Sequence, residues 1–135
     1  MSDILVDTNV LLDVVTDDPR WADWSQRQLE IWSLRGALLI NAVVYAELST
    51  GFERIEEVDA ALSDASVTLV EIPRAALFLA GKTFLSYRRR GGRRTGVLPD
   101  FFVGAHAAVT GLPLLSRDTG RYRTYFPTLE LIVPG

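Results

Sequence analysis

A chain of 135 residues with 48% hydrophobic and 23% charged side chains is one domain's worth of sequence, able to bury a core without cross-links. It has no cysteine and one histidine, His106, which excludes disulfides, thiolate metal sites and cysteine nucleophiles and argues against multi-histidine metal centres and Ser-His-Asp catalysis. The formal net charge is −3.

Short apolar runs alternate with helical patterns along the chain, the signature of βαβ units around a parallel sheet. Ile4-Leu5-Val6 reads as a first strand and Asn9 to Val15 as a short helix that ends at Asp17-Asp18-Pro19. Trp21, Trp24, Gln28, Ile31, Trp32 and Leu34 recur at helical spacing before Gly36, a second helix. The tryptophans read as core or protein interface. Ala37 to Ile40 is a buried strand, Val43 to Ser49 and Ile55 to Leu62 are helices, and Val67 to Ile72 is a strand. Pro73 opens a long helix from Arg74 to Arg90, Gly91 to Gly96 reads as a mobile loop, and Leu98-Pro99 starts a helix from Asp100 to Val109 with Gly111 as its cap. Leu114-Leu115 is a strand, Asp118 to Tyr125 a short helix and Leu129 to Val133 a last strand. The pattern predicts a single α/β domain over residues 1–135, built as a three-layer α/β/α sandwich with a central parallel sheet of about five strands. None of the apolar runs reaches the roughly 18 residues of a membrane span, and Met1-Ser2-Asp3 lacks the basic start of a signal peptide, so a cytoplasmic protein without membrane contact is expected.

The charge is unevenly spread. Residues 1–71 carry 14 acids and 4 arginines, a balance of −10, whereas residues 72–135 carry 10 basic residues and 3 acids, a balance of +7. Arg88, Arg89, Arg90, Arg93 and Arg94 crowd into one run. Such asymmetry suits a polyanion partner, or a solvated helix end and loop.

Ligands of open parallel sheets sit outside the carboxyl ends of the strands, so polar residues placed there are the candidates for chemistry. Asp7 directly follows the first strand and Asp118 comes just after Leu114-Leu115 and Ser116-Arg117. Asp100 opens a helix, where the dipole favours negative charge. Glu47 is the one acid inside the apolar segment Val43-Val44-Tyr45-Ala46-Glu47-Leu48. An unpaired buried carboxylate costs several kcal/mol or takes a raised pKa, and a cation would relieve that cost for all four together. An oxygen-only donor set selects Mg²⁺ or Mn²⁺ over zinc. Each acid also has a plainer use: Asp7 as a helix N-cap, Asp100 as a first-turn acid, Asp118 in turn chemistry, Glu47 as an outward or arginine-paired side chain. Asp3, Asp13, Asp17, Asp18 and Glu56 read as solvated surface.

Four segments in order, Val6-Asp7-Thr8-Asn9-Val10, Ala46-Glu47-Leu48, Leu98-Pro99-Asp100-Phe101-Phe102-Val103-Gly104-Ala105-His106-Ala107 and Leu115-Ser116-Arg117-Asp118, make the chain resemble the PIN-domain ribonucleases, especially VapC-type toxins of VapBC toxin–antitoxin pairs. The resemblance spans essentially the whole chain. It implies an acidic Mg²⁺/Mn²⁺ pocket of Asp7, Glu47, Asp100 and Asp118, with Asp7 and Asp100 as direct ligands. Glu47 and Asp118 would be further ligands, holders of a coordinated water, or bases toward the attacking water. Asn9 and Ser116 match supporting polar positions, Ser116 beside the last acid. Asp100-Phe101-Phe102 is bulkier than in many members. The implied activity is endonucleolytic RNA cleavage leaving a 5′-phosphate and a 3′-hydroxyl. The implied partners are a cognate VapB-type antitoxin, seated in a groove near the N-terminal helices, and a second copy of the chain in a homodimer.

On this reading Arg88, Arg89, Arg90, Arg93, Arg94 and Arg117 hold the RNA backbone, with Arg121 and Arg123 also near Asp118. His106, six residues after Asp100 among small residues, reads as packing or interface. A phosphoacceptor signalling domain would need a lysine after a late strand, but Lys82 falls mid-helix, and a haloacid-dehalogenase-type phosphatase would need an acid where Asn9 stands. A non-catalytic PIN-like module that binds RNA or protein is the remaining alternative.

Overall fold

The computed structural model describes residues 2–94 and 96–135; Met1 and Thr95, the latter within the expected loop 91–96, lie outside the described residues. The apolar runs form β1 (Ile4–Val6), β2 (Leu38–Ile40), β3 (Val67–Leu69), β4 (Leu114–Leu115) and β5 (Leu131–Ile132). They pair in parallel in the order β3-β2-β1-β4-β5. In the centre, β1 sets Ile4 against Leu38 on one side and Leu5 against Leu114 on the other. All three β1 side chains are fully buried, which is why the strand is apolar throughout instead of alternating. The edge strands are shorter than the sequence pattern suggests. Past Leu69, β3 keeps only the Val70 N–H bond to Ile40 O (2.8 Å) before the chain turns at Pro73. At the other edge, pairing of Leu129 to Val133 shrinks to Leu131 and Ile132.

The helices are α1 (Thr8–Val15), α2 (Ala22–Ser33), α3 (Ala42–Ser49), α4 (Ile55–Asp64), α5 (Arg74–Arg89), α6 (Leu98–Thr110) and α7 (Gly120–Tyr125). From β1 the chain steps outward to β2 and β3 through α1–α4, then crosses back over β1 to β4 and β5 through α5–α7. Right-handed crossovers running in opposite directions place helices on both faces, so the expected three-layer α/β/α sandwich is the observed one. No helix among the described residues is long and apolar enough to cross a membrane.

Two local devices orient the site-bearing helices. Asn41 caps α3: its Oδ1 accepts the Val43 and Val44 N–H groups at 3.0 and 3.1 Å. That leaves its Nδ2 to donate to the buried His106 Nδ1 at 3.2 Å, which defines a neutral imidazole with its proton on Nε2. His106 is therefore a packing residue, and burial holds its pKa below 6.5. The second device belongs to α6. Pro99 occupies the first turn, where its missing N–H is not needed, and Gly111, at φ 71°, closes the helix in the left-handed conformation. Between them, Gly104 admits the Phe126 ring: a Cβ on Gly104 would lie 2.5 Å from two of its carbons.

Candidate active site

The strand order reverses at β1, so the loops leaving β1 and β4 diverge and open a crevice at the carboxyl ends of the strands. Asp7 leaves β1 and its N–H is bonded to Leu115 O at 2.9 Å, so the first candidate acid lies beside the end of β4. A pocket of about 380 Å³ opens here, lined by Asp7, Thr8, Asn9, Leu12, Glu47, Thr50, Asp100 and Asp118. Four carboxylates far apart in the chain thus line one pocket. Asp7 comes from the β1–α1 junction, Glu47 from α3, Asp100 from the first turn of α6, and Asp118 from the β4–α7 loop.

Asp7 is only 5% exposed. One oxygen, Oδ1, accepts the Thr8 N–H at 2.8 Å, the capping contact of α1. The other, Oδ2, accepts hydroxyl hydrogens from Ser116 and Tyr122, each at 2.8 Å, with Asn9 Nδ2 at 3.5 Å. Every one of these partners is neutral. Burial pushes the Asp7 carboxyl from the ordinary 3.8 up to about 6, against the lowering effect of those hydrogen bonds; the nearby Asp100 charge adds to the rise. Tyr122 is itself buried, and burial together with the Asp7 charge raises its pKa well above 10, so it stays a donor.

Asp100 is half-buried and paired with Arg121 of α7. Its pKa is raised, chiefly by burial and also by the Glu47 and Asp118 charges, while Arg121 opposes the rise. Glu47 accepts the Thr8 hydroxyl at 2.7 Å. Asp118 is exposed, and its loop is fixed by the backbone: the Asp118 N–H donates to Ser116 Oγ at 3.0 Å. Ser116 therefore touches two of the acids' positions: its hydroxyl donates to Asp7 and accepts from the Asp118 backbone. Asn9 ties the same loop down, with Nδ2 3.3 Å from Ser116 Oγ and Oδ1 accepting the Arg117 N–H at 3.1 Å. Asp118 also stays outside α7, which starts at Gly120.

Two expectations need correction. Asp13 is not solvated surface: it is 2% exposed and accepts both Arg117 Nε (2.6 Å) and Nη2 (2.9 Å), with Ser25 Oγ at 2.7 Å. Arg117, expected at the RNA backbone, is committed to that bidentate pair, with its guanidinium carbon 5.2 Å from the centre of the Trp21 ring. Trp21 follows the Asp17-Asp18-Pro19 turn that starts α2, so the ion pair joins the site loop to α1 and the α2 start. Arg88 and Arg89 end α5, Arg90 caps it, and Arg93 and Arg94 follow in the loop. All five are exposed and, among the described residues, none forms an ion pair. The local sequence carries no sign of the Arg121 and Tyr122 contacts. They depend on α7 folding back over the ends of β1 and α6.

No three of the described His, Asp or Glu side chains stand around a common ion position: Asp100 faces Arg121, Asp7 Oδ2 is shared by two hydroxyls, and Glu47 takes the Thr8 hydroxyl. The donor chemistry still fits a hard dication. The ligating groups in the pocket are oxygens, and among the described residues no cation is bonded to the buried Asp7. A second pocket, of about 440 Å³, lies between α1, α2 and α4 and is lined in part by Val14, Val15, Leu29, Glu30 and Ala61.

The sequence of the PIN domain family matches residues 4–127. No curated protein matches the chain in sequence. The fold is similar to VapBC2 from Rickettsia felis, solved bound to a DNA fragment from their promoter, with 17% identity, a TM-score of 0.75 and coverage of 98% of this chain and 99% of that one. It is also similar to DNA-bound VapBC from Salmonella typhimurium (17% identity, TM-score 0.71, 98% of each chain). VapBC-1 from nontypeable Haemophilus influenzae matches at 16% identity and a TM-score of 0.68 over 97% of each chain. With the family match running from β1 to just beyond α7, the chain belongs to the PIN-domain family.

Proposed function

We propose that the protein is a divalent-cation-dependent endoribonuclease and the toxin of a VapBC-type pair, held inactive by a cognate VapB-type antitoxin. The observation that carries this reading is the single pocket at the strand-order reversal lined by Asp7, Glu47, Asp100 and Asp118. Asp7 and Asp100, with Glu47 and Asp118, would hold Mg²⁺ or Mn²⁺. Such an ion supplies charge neutralisation and Lewis acidity toward a phosphodiester and its attacking water. The chain's own contribution is positioning. Ser116 and Tyr122 fix the Asp7 carboxylate, Thr8 fixes Glu47, and Asn9 and Ser116 hold the loop that carries Asp118. Such outer partners set the orientation of ligating carboxylates. Exposed Arg88, Arg89, Arg90, Arg93 and Arg94 supply positive charge for the RNA backbone, contacts that position without reading sequence.

The α1/α2/α4 pocket in the acidic half of the chain suits a partner segment with an apolar face and basic flanks, and pairing of two copies follows the toxins of this type. The Arg121–Asp100 pair favours a second reading, in which the scaffold binds RNA or protein without cutting, because an internal cation already neutralises that acid.

Cleavage of a labelled single-stranded RNA in Mg²⁺ separates the two. The nuclease reading requires cleavage that EDTA abolishes and that falls by about a hundred- to a thousandfold in Asp100→Asn, the order of loss seen when one charge-stabilising group is removed. Cleavage absent from the wild type, or equal in Asp100→Asn, leaves the binding module.

A further inference from the structure

A second polar cavity, of about 380 Å³, lies between the C-terminal half of α5 and α7, lined by Lys82, Thr83, Ser86, Arg90, Thr124 and Tyr125, with Pro127 at one end. Its chemistry is the inverse of the acidic pocket, with two cations, several hydroxyls and no carboxylate, in a chain whose net charge is −3. Arg90 lies over the Tyr125 ring, its guanidinium carbon 5.8 Å from the ring centre, while the Lys82 ammonium leans on Phe78 at 5.3 Å. Each cation therefore has an aromatic support and no bonded anion among the described residues. The cavity adjoins the acidic pocket through the core: Tyr125 packs 5.1 Å from Phe101, the residue after Asp100. The same short helix, α7, that supplies Thr124 and Tyr125 to the cavity sends Arg121 and Tyr122 to Asp100 and Asp7. An α-helix is about 10 Å across, so a single strand crossing α7 from the acidic pocket reaches this cavity within a few nucleotides.

We propose that the α5/α7 cavity is a subsite for the phosphodiester backbone of single-stranded RNA, holding a phosphate upstream or downstream of the one cut in the acidic pocket. Lys82 and Arg90 pair with the phosphate oxygens, the Ser86 hydroxyl donates to them, and the Tyr125 ring lies beside the adjoining sugar or base. The subsite rests on the nuclease reading of the acidic pocket and extends it. It predicts that substrate length matters: a strand that covers both pockets binds more tightly than one that fills the first alone.

The test uses a fluorescein-labelled oligouridine 12-mer, read by anisotropy in EDTA so that nothing is cut, with the wild type, K82E/R90E and the milder K82Q/R90Q. Neither position belongs to the acidic pocket. The expected result is at least about tenfold weaker binding by K82E/R90E and a salt dependence of log K shallower by about 1.4, the value for two lost single-strand phosphate contacts. Uridylyl-uridine, too short to reach the cavity, is cut in Mg²⁺ at the wild-type rate by the single variant K82Q, which leaves the arginine run intact, while the 12-mer shows a raised KM. If K82E/R90E fails to fold by circular dichroism, K82Q/R90Q carries the same comparison at smaller size. Equal 12-mer affinity and salt slope in wild type and variants overturns the subsite, as does a cavity that binds polyglutamate as tightly as RNA. A wild type that neither binds nor cuts either RNA instead defeats the nuclease reading, so the two failures are distinct.

Discussion

Asp7 is the side chain on which local structure, stability and chemistry meet. Its position after an apolar strand is plain in the sequence, as is its use as a cap for α1. What it touches is not, because Ser116 and Tyr122 reach it across 109 and 115 residues. The consequence for stability follows from its pKa of about 6 in the fold against 3.8 in the unfolded chain. A pKa raised on folding makes the group's favourable contribution complete below pH 3.8, and that contribution is lost as pH rises through 6. Above pH 7 the ionised Asp7 therefore costs the metal-free fold up to about 3 kcal/mol, from about two units at 1.36 kcal/mol each. Asp7→Asn removes the charge. In EDTA its urea midpoint should exceed the wild type's at pH 8, and the gain should shrink as pH falls from 6 toward 4. His106 has the opposite sign: its lowered pKa gives stability that is present above 6.5 and lost as pH falls below it. Comparing Asp7→Asn with wild type cancels that term, since both keep His106. A variant no more stable at pH 8 than at pH 4, relative to wild type, would show that Asp7 carries no buried charge. Asp13 shows where reading by residue type fails: an acid near an Asp-Asp-Pro turn looks solvated until Arg117, 104 residues on, reaches back to it.

At the scale of elements, apolar runs and helix punctuation locate the strands and helices to within a few residues, because burial on both faces leaves the central strand no polar positions. The misses sit at the edges. There β3 and β5 have a partner on one side only, and pairing is confined to Val67–Leu69 and to Leu131–Ile132. Helix glycines separate packing from propensity. Gly→Ala at an open helix position gains about 1 kcal/mol, but overpacking a closed one costs about 1–3 kcal/mol. Gly81 in α5 has nothing within 4 Å of an added Cβ, whereas Gly104 in α6 meets the buried Phe126 ring. Gly81→Ala should raise Tm and Gly104→Ala lower it, by differential scanning calorimetry. A Gly104→Ala protein as stable as wild type would mean that α6, and the Asp100 it carries, is not held by that ring.

Over the whole molecule, the strand order converts distant sequence positions into one site. The rule that open parallel sheets bind at the carboxyl ends of their strands made Asp7 and Asp118 legible as candidates, and the anomaly of an acid in an apolar segment did the same for Glu47. Arg121 and Tyr122 were not legible as partners of these acids, because nothing local to α7 reveals the way it crosses the pocket. The uneven charge also becomes spatial: acids gather at the pocket and the N-terminal helices, arginines at the end of α5. The claim beneath all of this is that the four carboxylates form a site for a hard dication. Isothermal titration of Mn²⁺ into the metal-free protein at pH 7.5 tests it most directly, read beside the Tm of the same samples. The account predicts saturable uptake in the wild type with a Tm rise of several degrees, since an ion at about 100 times its Kd stabilises the fold by about 2.7 kcal/mol, and loss of both in Asp7→Asn and Asp100→Asn. A wild type that shows no heat of binding and no Tm shift, or Asn variants that bind as tightly as it does, would contradict it.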